Sequence, residues 1–217
     1  MADNIAMYGF RFVGGSIDGG RDYPRTIRCP VATSQSFDVN GGAANVGLGR
    51  GDPVIKTSTG TVTLCDGVEG AGGALLPWGI VLGVAPHWSV SESRLVFSDV
   101  IPSDVAWGTA LSRQSYVYVI PVTAGLWEID VDDNTTATTQ ALYQDMVGEN
   151  VNYILTGASG EKRAKPKLDI ANQAVTNTLV CRIENVPPPP CNRDFSGANV
   201  KLQVSFNLHA MQSTTGV

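Results

Sequence analysis

Charge is scarce in this chain: Lys, Arg, Asp and Glu make up 16% of its 217 residues, against roughly 25% in ordinary soluble domains. That scarcity disfavours long solvent-exposed helices and favours strands joined by turns. Histidine is scarcer still. Only His87 and His209 are available as the usual general base, and without a G-x-S-x-G elbow a Ser or Cys hydrolase has little to be built from; both read as ordinary surface or half-buried histidines. The four cysteines, Cys29, Cys65, Cys181 and Cys191, lack C-x-x-C spacing, so neither a zinc knuckle nor a redox pair is indicated. They are expected as buried thiols, with a Cys181–Cys191 disulfide as an alternative that a reducing cytoplasm disfavours. No run of about 18 apolar residues offers a membrane span, and the opening MADNIAMYGF lacks the basic and apolar segments of a signal peptide. Synthesis and folding in the cytoplasm with no membrane partner are therefore expected. A net charge of −5 and a pI near 4.9 argue against a nucleic-acid partner, which calls for clustered Lys and Arg. No cofactor is expected.

What the chain does have is alternation. Val200, Leu202, Val204, Phe206 and Leu208 fall on one side of an extended segment and Lys201, Gln203, Ser205 and Asn207 on the other, the period of a half-buried strand. An extended segment is expected at 26–32. Residues 53–57 and 61–65 around Ser58-Thr59-Gly60 predict a hairpin, and the apolar run 78–85 a strand buried on both faces. Residues 116–122 and 126–131, rich in β-branched and aromatic side chains, predict a second hairpin turning at Thr123-Ala124-Gly125, with Pro121 at a strand end, edge or bulge. A two-turn helix is expected after Thr138 or Thr139, with Leu142, Met146 and Val147 on its apolar face and Gly148 ending it. Further strands are expected at 168–170, 178–184 and 200–208. Pro187 to Pro190 reads as a stiff polyproline connection, or as a ligand for a partner groove.

Residues 1–22 carry Tyr8, Phe10 and Phe12 among glycines and read as an N-terminal arm that packs on its own domain or on a neighbour. Residues 23–217 form the body. The fold class expected is all-β, a jelly-roll-like sandwich or compact β-barrel with one short helix. The alternative is two small β subdomains, the first β-tulip-like, divided near 98–109.

Candidate chemistry is thin. Glu128 and Asp130 lie two apart on one strand and so share a side, as paired glycosidase carboxylates would; a polar outer face is the plainer reading. Asp130, Asp132, Asp133 and Asn134 begin a calcium-loop pattern that fails at Thr135 and Ala141, where glycine and glutamate belong. Gly47 to Gly51 reads as a flexible turn, not a dinucleotide loop, and the basic stretch 161–167 as a solvated loop.

Five segments read in order resemble the capsid decoration, or cement, proteins of tailed bacteriophages: Tyr8-Gly9-Phe10-Arg11, Gly51-Asp52-Pro53-Val54, Trp78-Gly79-Ile80-Val81-Leu82-Gly83-Val84, the Pro121-Val122-Thr123-Ala124-Gly125-Leu126-Trp127-Glu128-Ile129 segment, and Ala198-Asn199-Val200-Lys201-Leu202. The resemblance implies a virion structural protein, not an enzyme, seated on the outer surface of the head. It implies a homotrimer that fastens neighbouring major capsid protein subunits against internal DNA pressure. Tyr8, Phe10, Arg11 and Phe12 are the partner-binding candidates, and deletion of residues 1–12 is expected to leave a folded body with weakened capsid attachment. The alternatives are a tail or fibre protein stacking host glycans on Trp88 and Trp107, and a β-sandwich hydrolase using Glu128 and Asp130.

Overall fold

The computed structural model describes residues 9–14, 25–32, 47–65, 76–89, 93–101, 115–132, 136–156, 164–176, 178–189, 191–192, 194–196 and 199–210. In chain order its strands are β1 (Arg11–Gly14), β2 (Ile27–Pro30), β3 (Leu48–Gly49), β4 (Pro53–Lys56), β5 (Val62–Leu64), β6 (Gly79–Val84), β7 (His87–Ser89) and β8 (Arg94–Val96). There follow β9 (Val100–Ile101), β10 (Tyr116–Pro121), β11 (Leu126–Asp130), helix α1 (Gln140–Asp145), β12 (Asn150–Val151), β13 (Tyr153–Leu155), β14 (Pro166–Leu168), β15 (Cys181–Asn185) and β16 (Lys201–Phe206).

The fold is all-β with a single short α-helix among the described residues. One antiparallel sheet runs β2-β10-β6-β4-β5 and draws on the first half of the chain. The other runs β1-β11-β16-β15-β12 and is built from the second half plus the first strand. A parallel bridge between Val31 and Val62, with the Ala32 N–H donating to the Val62 carbonyl at 2.9 Å, draws the edges of the first sheet together at one point. Three two-stranded ladders, β3-β9, β7-β8 and β13-β14, complete the sheets. One continuous apolar core takes in Val54, Val62, Ile80, Val117 and Val119 from the first sheet and Trp127, Ile129, Ile183, Leu202 and Val204 from the second, a sandwich-like arrangement.

The β4-β5 hairpin forms as expected, Val54 opposite Leu64 and Lys56 opposite Val62. The second expected hairpin does not. β10 pairs with β2 and β6 in one sheet, while β11 pairs with β1 and β16 in the other. Pro121, last residue of its strand, has no N–H to continue a ladder. Past it a 3-10 turn at Val122–Ala124 carries the chain across, with the Val122 N–H on the Trp78 carbonyl at 3.2 Å and the Trp127 indole N–H on the Val122 carbonyl at 3.2 Å. Two β-rich runs around a short Gly-containing turn look alike whether the chain doubles back or turns a corner. The sheets thus exchange at 122–125; most of the expected division at 98–109 lies outside the described residues.

Strand β6 is buried on both faces only over Gly79, Ile80 and Val81, and Leu82 is exposed. A register shift against β10 between Tyr118 and Val119 places Leu82 at a bulge. Gly79 is dictated by packing: a Cβ there would stand 2.3 Å from the Val119 side chain and 2.8 Å from the Ile120 carbonyl.

Helix α1 starts where expected, with Thr139 as its N-cap accepting from the Leu142 N–H at 3.4 Å. Gly148, at φ +95°, lies just beyond its end. Its buried pair, however, is Tyr143 and Met146, while Leu142 and Val147 are exposed. Tyr143 packs on Phe195 with centroids 6.0 Å apart, and a helix of six residues has room for one such i, i+3 contact. Of the strand expected at 168–170, Leu168 ends β14 and Ile170 begins a 3-10 turn at Ile170–Asn172. In the basic stretch Ala164 is fully buried and Pro166–Leu168 is strand β14, so that end of it is not a solvated loop.

Candidate functional site

The N-terminal arm and the carboxylates of β11 belong to one construction. Strand β1 lies along β11 with Arg11 opposite Glu128 and Phe12 opposite Trp127. Next to it, the Phe10 N–H donates to the Gly51 carbonyl at 2.9 Å. The preceding Gly9 has φ +89°, and a Cβ there would meet the Gly51 carbonyl oxygen at 2.5 Å, so this approach admits only glycine. The Phe10 ring, 4% exposed, lies 5.5 Å from Tyr153 and 5.2 Å from Phe206 by centroids. Phe12 meets Trp127 edge-on at 5.4 Å. Phe10, Arg11 and Phe12 therefore sit on the chain's own second sheet, and Phe10 is a core residue, not an exposed anchor. Tyr8 lies outside the described residues. The premise for expecting a folded protein after deletion of residues 1–12, an arm outside the main strand set, is overturned: they include a core side chain and half of an edge strand.

Glu128 and Asp130 share a side of β11, as alternation demands, but both are 1% exposed, so they are not an outer face. The Arg11 guanidinium pairs with the Glu128 carboxylate. Lys201, opposite Asp130 in the ladder, places its Nζ 3.6 Å from Asp130 Oδ1. Fully buried Asn192 fixes the Lys201 backbone from both sides, accepting from its N–H at 2.8 Å and donating to its carbonyl at 2.9 Å. The same amide donates to the Pro187 carbonyl at 2.9 Å. With Pro187 buried and a bond from the Cys191 N–H to the Pro188 carbonyl at 3.1 Å, the proline run is tied to the body at its start and to Cys191 through Pro188. An unpaired buried charge costs several kcal/mol, which accounts for a cation opposite each carboxylate. The cations and the alternation were readable; which carboxylates would be buried was not, because burial depends on what crosses over them.

A shallow depression of about 310 Å3 is lined by Gly14, Val122, Thr123, Gly125, Leu126, Ser205 and Phe206. Neither carboxylate opens onto it. Ser205 donates to Glu184 at 2.6 Å, and no histidine lines the depression. His87 is 3% exposed at the foot of β7, and its Nδ1 and that of His209 are buried without a hydrogen-bond partner. Burial pulls both imidazoles below their usual range, opposed at His87 by a backbone hydrogen bond with Ala85.

Among the described residues no group of three or more His, Cys, Asp or Glu could hold a metal ion. Of the calcium-like run, Asp130 is spent on Lys201 and Asp132 accepts from the Ile170 N–H at 3.3 Å; Asp133 and Asn134 lie outside the described residues. Gly47 to Gly51 is no loose turn either. Asp52, 2% exposed, accepts from the Gly49 N–H at 2.7 Å, and β3 pairs with β9.

All four cysteines are thiols, three buried and Cys191 exposed, so the alternative Cys181–Cys191 disulfide is not formed. Tyr153, on the β13-β14 ladder, donates to Sγ of Cys65, the residue after β5, at 3.0 Å. Burial, reinforced by neighbouring Cys65, holds the Cys181 thiol above the ordinary range.

A group of exposed apolar side chains lies at the β7-β8 ladder and just past its end. Trp88 stands opposite Leu95, and Phe97 follows two residues on. Trp88, Leu95 and Phe97 are 36%, 52% and 79% exposed. Of the two glycan-stacking candidates, Trp88 is here and Trp107 lies outside the described residues. Comparisons with protein-family models, curated proteins and solved structures return no match.

Proposed function

We propose that this chain is a structural protein of a tailed-phage virion that binds the outer surface of the capsid and cements neighbouring major capsid subunits, acting as a homotrimer. The observation that carries the reading is the exposed row on β7-β8. Trp88 and Leu95 form a cross-strand pair and Phe97 continues the Leu95 side of its strand. Large apolar and aromatic side chains presented together are what interface anchors are made of. The body behind them is built for rigidity, with its two most buried carboxylates matched by cations. Many copies on one shell would add modest contacts through avidity.

The test is co-sedimentation of purified protein with undecorated heads, with light scattering of the free protein to count subunits. Saturable binding that falls at least tenfold in Phe97→Ser and Leu95→Ser, with unchanged melting, supports the reading; the expected drop corresponds to about 1.4 kcal/mol per anchor. No binding to heads overturns it. Exposed Trp88 keeps one other reading open, glycan stacking by a tail or fibre protein, and binding on a glycan array in the absence of head binding would establish that instead.

A further inference from the structure

Strand β1 and its seat have the form of a plug and socket. Removing the segment from Phe10 to Gly14 would uncover the β11 edge, strip the cation from Glu128 and open the space between Tyr153 and Phe206. The plug is short and its recognition dense: an aromatic ring, a guanidinium and a second aromatic ring in three consecutive residues, each with its own receiver. Arg11 is the sole cation among residues 1–20, and it meets a carboxylate with a side chain only 2% exposed. Pairing loosens immediately after Phe12, where the register shifts before Gly14, and Gly14 borders the open depression. The sequence then runs through Gly15, Gly19 and Gly20 before β2 begins in the other sheet.

We infer that the socket is an interaction site for a second copy of this chain, filled reciprocally by exchange of the Phe10–Arg11–Phe12 plug between copies. Each exchanged plug makes the same ladder, ring contacts and ion pair that it makes at home, so exchange sacrifices no contact and is decided by concentration and by the ease with which the glycine-containing connection spans two bodies. Charge complementarity selects the occupant. A buried carboxylate at the sheet edge accepts a strand with a basic residue flanked by aromatic ones, and every copy carries that strand. The inference does not depend on the capsid reading, and its test contains no heads.

A photoreactive p-benzoylphenylalanine is placed at Phe12, where an aromatic ring already packs on Trp127. Equal amounts of full chain with natural-abundance and 15N nitrogen are unfolded together, refolded and irradiated, and cross-linked peptides are read by mass spectrometry. Exchange predicts oligomers by light scattering and about half of the β1-to-β11 cross-links joining a light to a heavy peptide. Cross-links confined to one isotope, or mixed pairs that miss β11 and its neighbour β16, overturn the inference. Light scattering of the wild-type chain provides a readout independent of the substituted residue, and a monomer at every concentration overturns it as well.

Discussion

Phe10 meets Tyr153 edge-on, ring centroids 5.5 Å apart and planes at 88°, and this contact fastens the start of the chain to a strand more than a hundred residues away. The first described stretch of sequence is thus part of the core. Phe10→Ala is expected to destabilise the fold by about 3–5 kcal/mol, the usual cost of emptying a buried aromatic site. Removing residues 1–12 is expected to do at least as much. Urea unfolding checks both, and a truncated chain as stable as the whole would show that the arm contributes nothing to the body.

Arg11 and Glu128 form a pair with one side open to water, side chains 54% and 2% exposed. Arg11→Ala is expected to cost about 1–3 kcal/mol, between the values for surface and buried pairs, and Arg11→Lys less. Replacing both with Met and Leu is expected to recover much of the loss, because no buried charge then lacks a partner. A double-mutant cycle in urea measures the coupling.

How much of this was legible is best judged strand by strand. Alternation located β16, and richness in β-branched and aromatic side chains located β10 and β11. Neither signal could say that β10 and β11 belong to different sheets, since a strand's own residues do not record which strand lies beside it. Strand β12 and the β3-β9 ladder, two residues per strand, are too short for any period. Tyr143 was missed on α1 because three apolar residues nearby made a more conspicuous stripe. The ion pairs needed cross-strand register, Arg11 with Glu128 and Asp130 with Lys201, which no local pattern contains.

Both histidines are held below the ordinary imidazole value of 6.5 by burial. Above about pH 6.5 the folded and unfolded chains are both neutral at these positions and pH has no leverage through them. Below it the unfolded chain takes up protons that the folded chain refuses, so stability is lost as pH falls from 6.5 through the depressed folded values. Melting temperature from pH 7.5 to 5 is expected to fall, and His87→Gln to fall less steeply than wild type. Parallel profiles for the two would exclude His87 as a contributor.

Thiol reagents should discriminate sharply. Cys191 is exposed and Cys29, Cys65 and Cys181 are buried, with burial pushing the Cys29 and Cys181 thiols up and so depleting the reactive thiolate. Among these four, labelling at pH 8 is expected to modify Cys191 in a fast phase and the other three only as the chain opens. Peptide mapping after partial labelling checks the assignment, and rapid modification of Cys181 would contradict it.

In the second sheet β11 separates the first described strand from the last, β1 on one side and β16 on the other. A ribosome releases these strands in the order β1, β11, β16, so the opening segment emerges long before its neighbours exist. Until residues near 206 leave the tunnel, Phe10 has no Phe206 to lie against and β11 has no β16 to align it. The closing of this sheet is therefore a late event with large sequence separation, the kind of topology that folds slowly, and the aromatic segment gains its receivers in stages, Trp127 and Tyr153 well before Phe206.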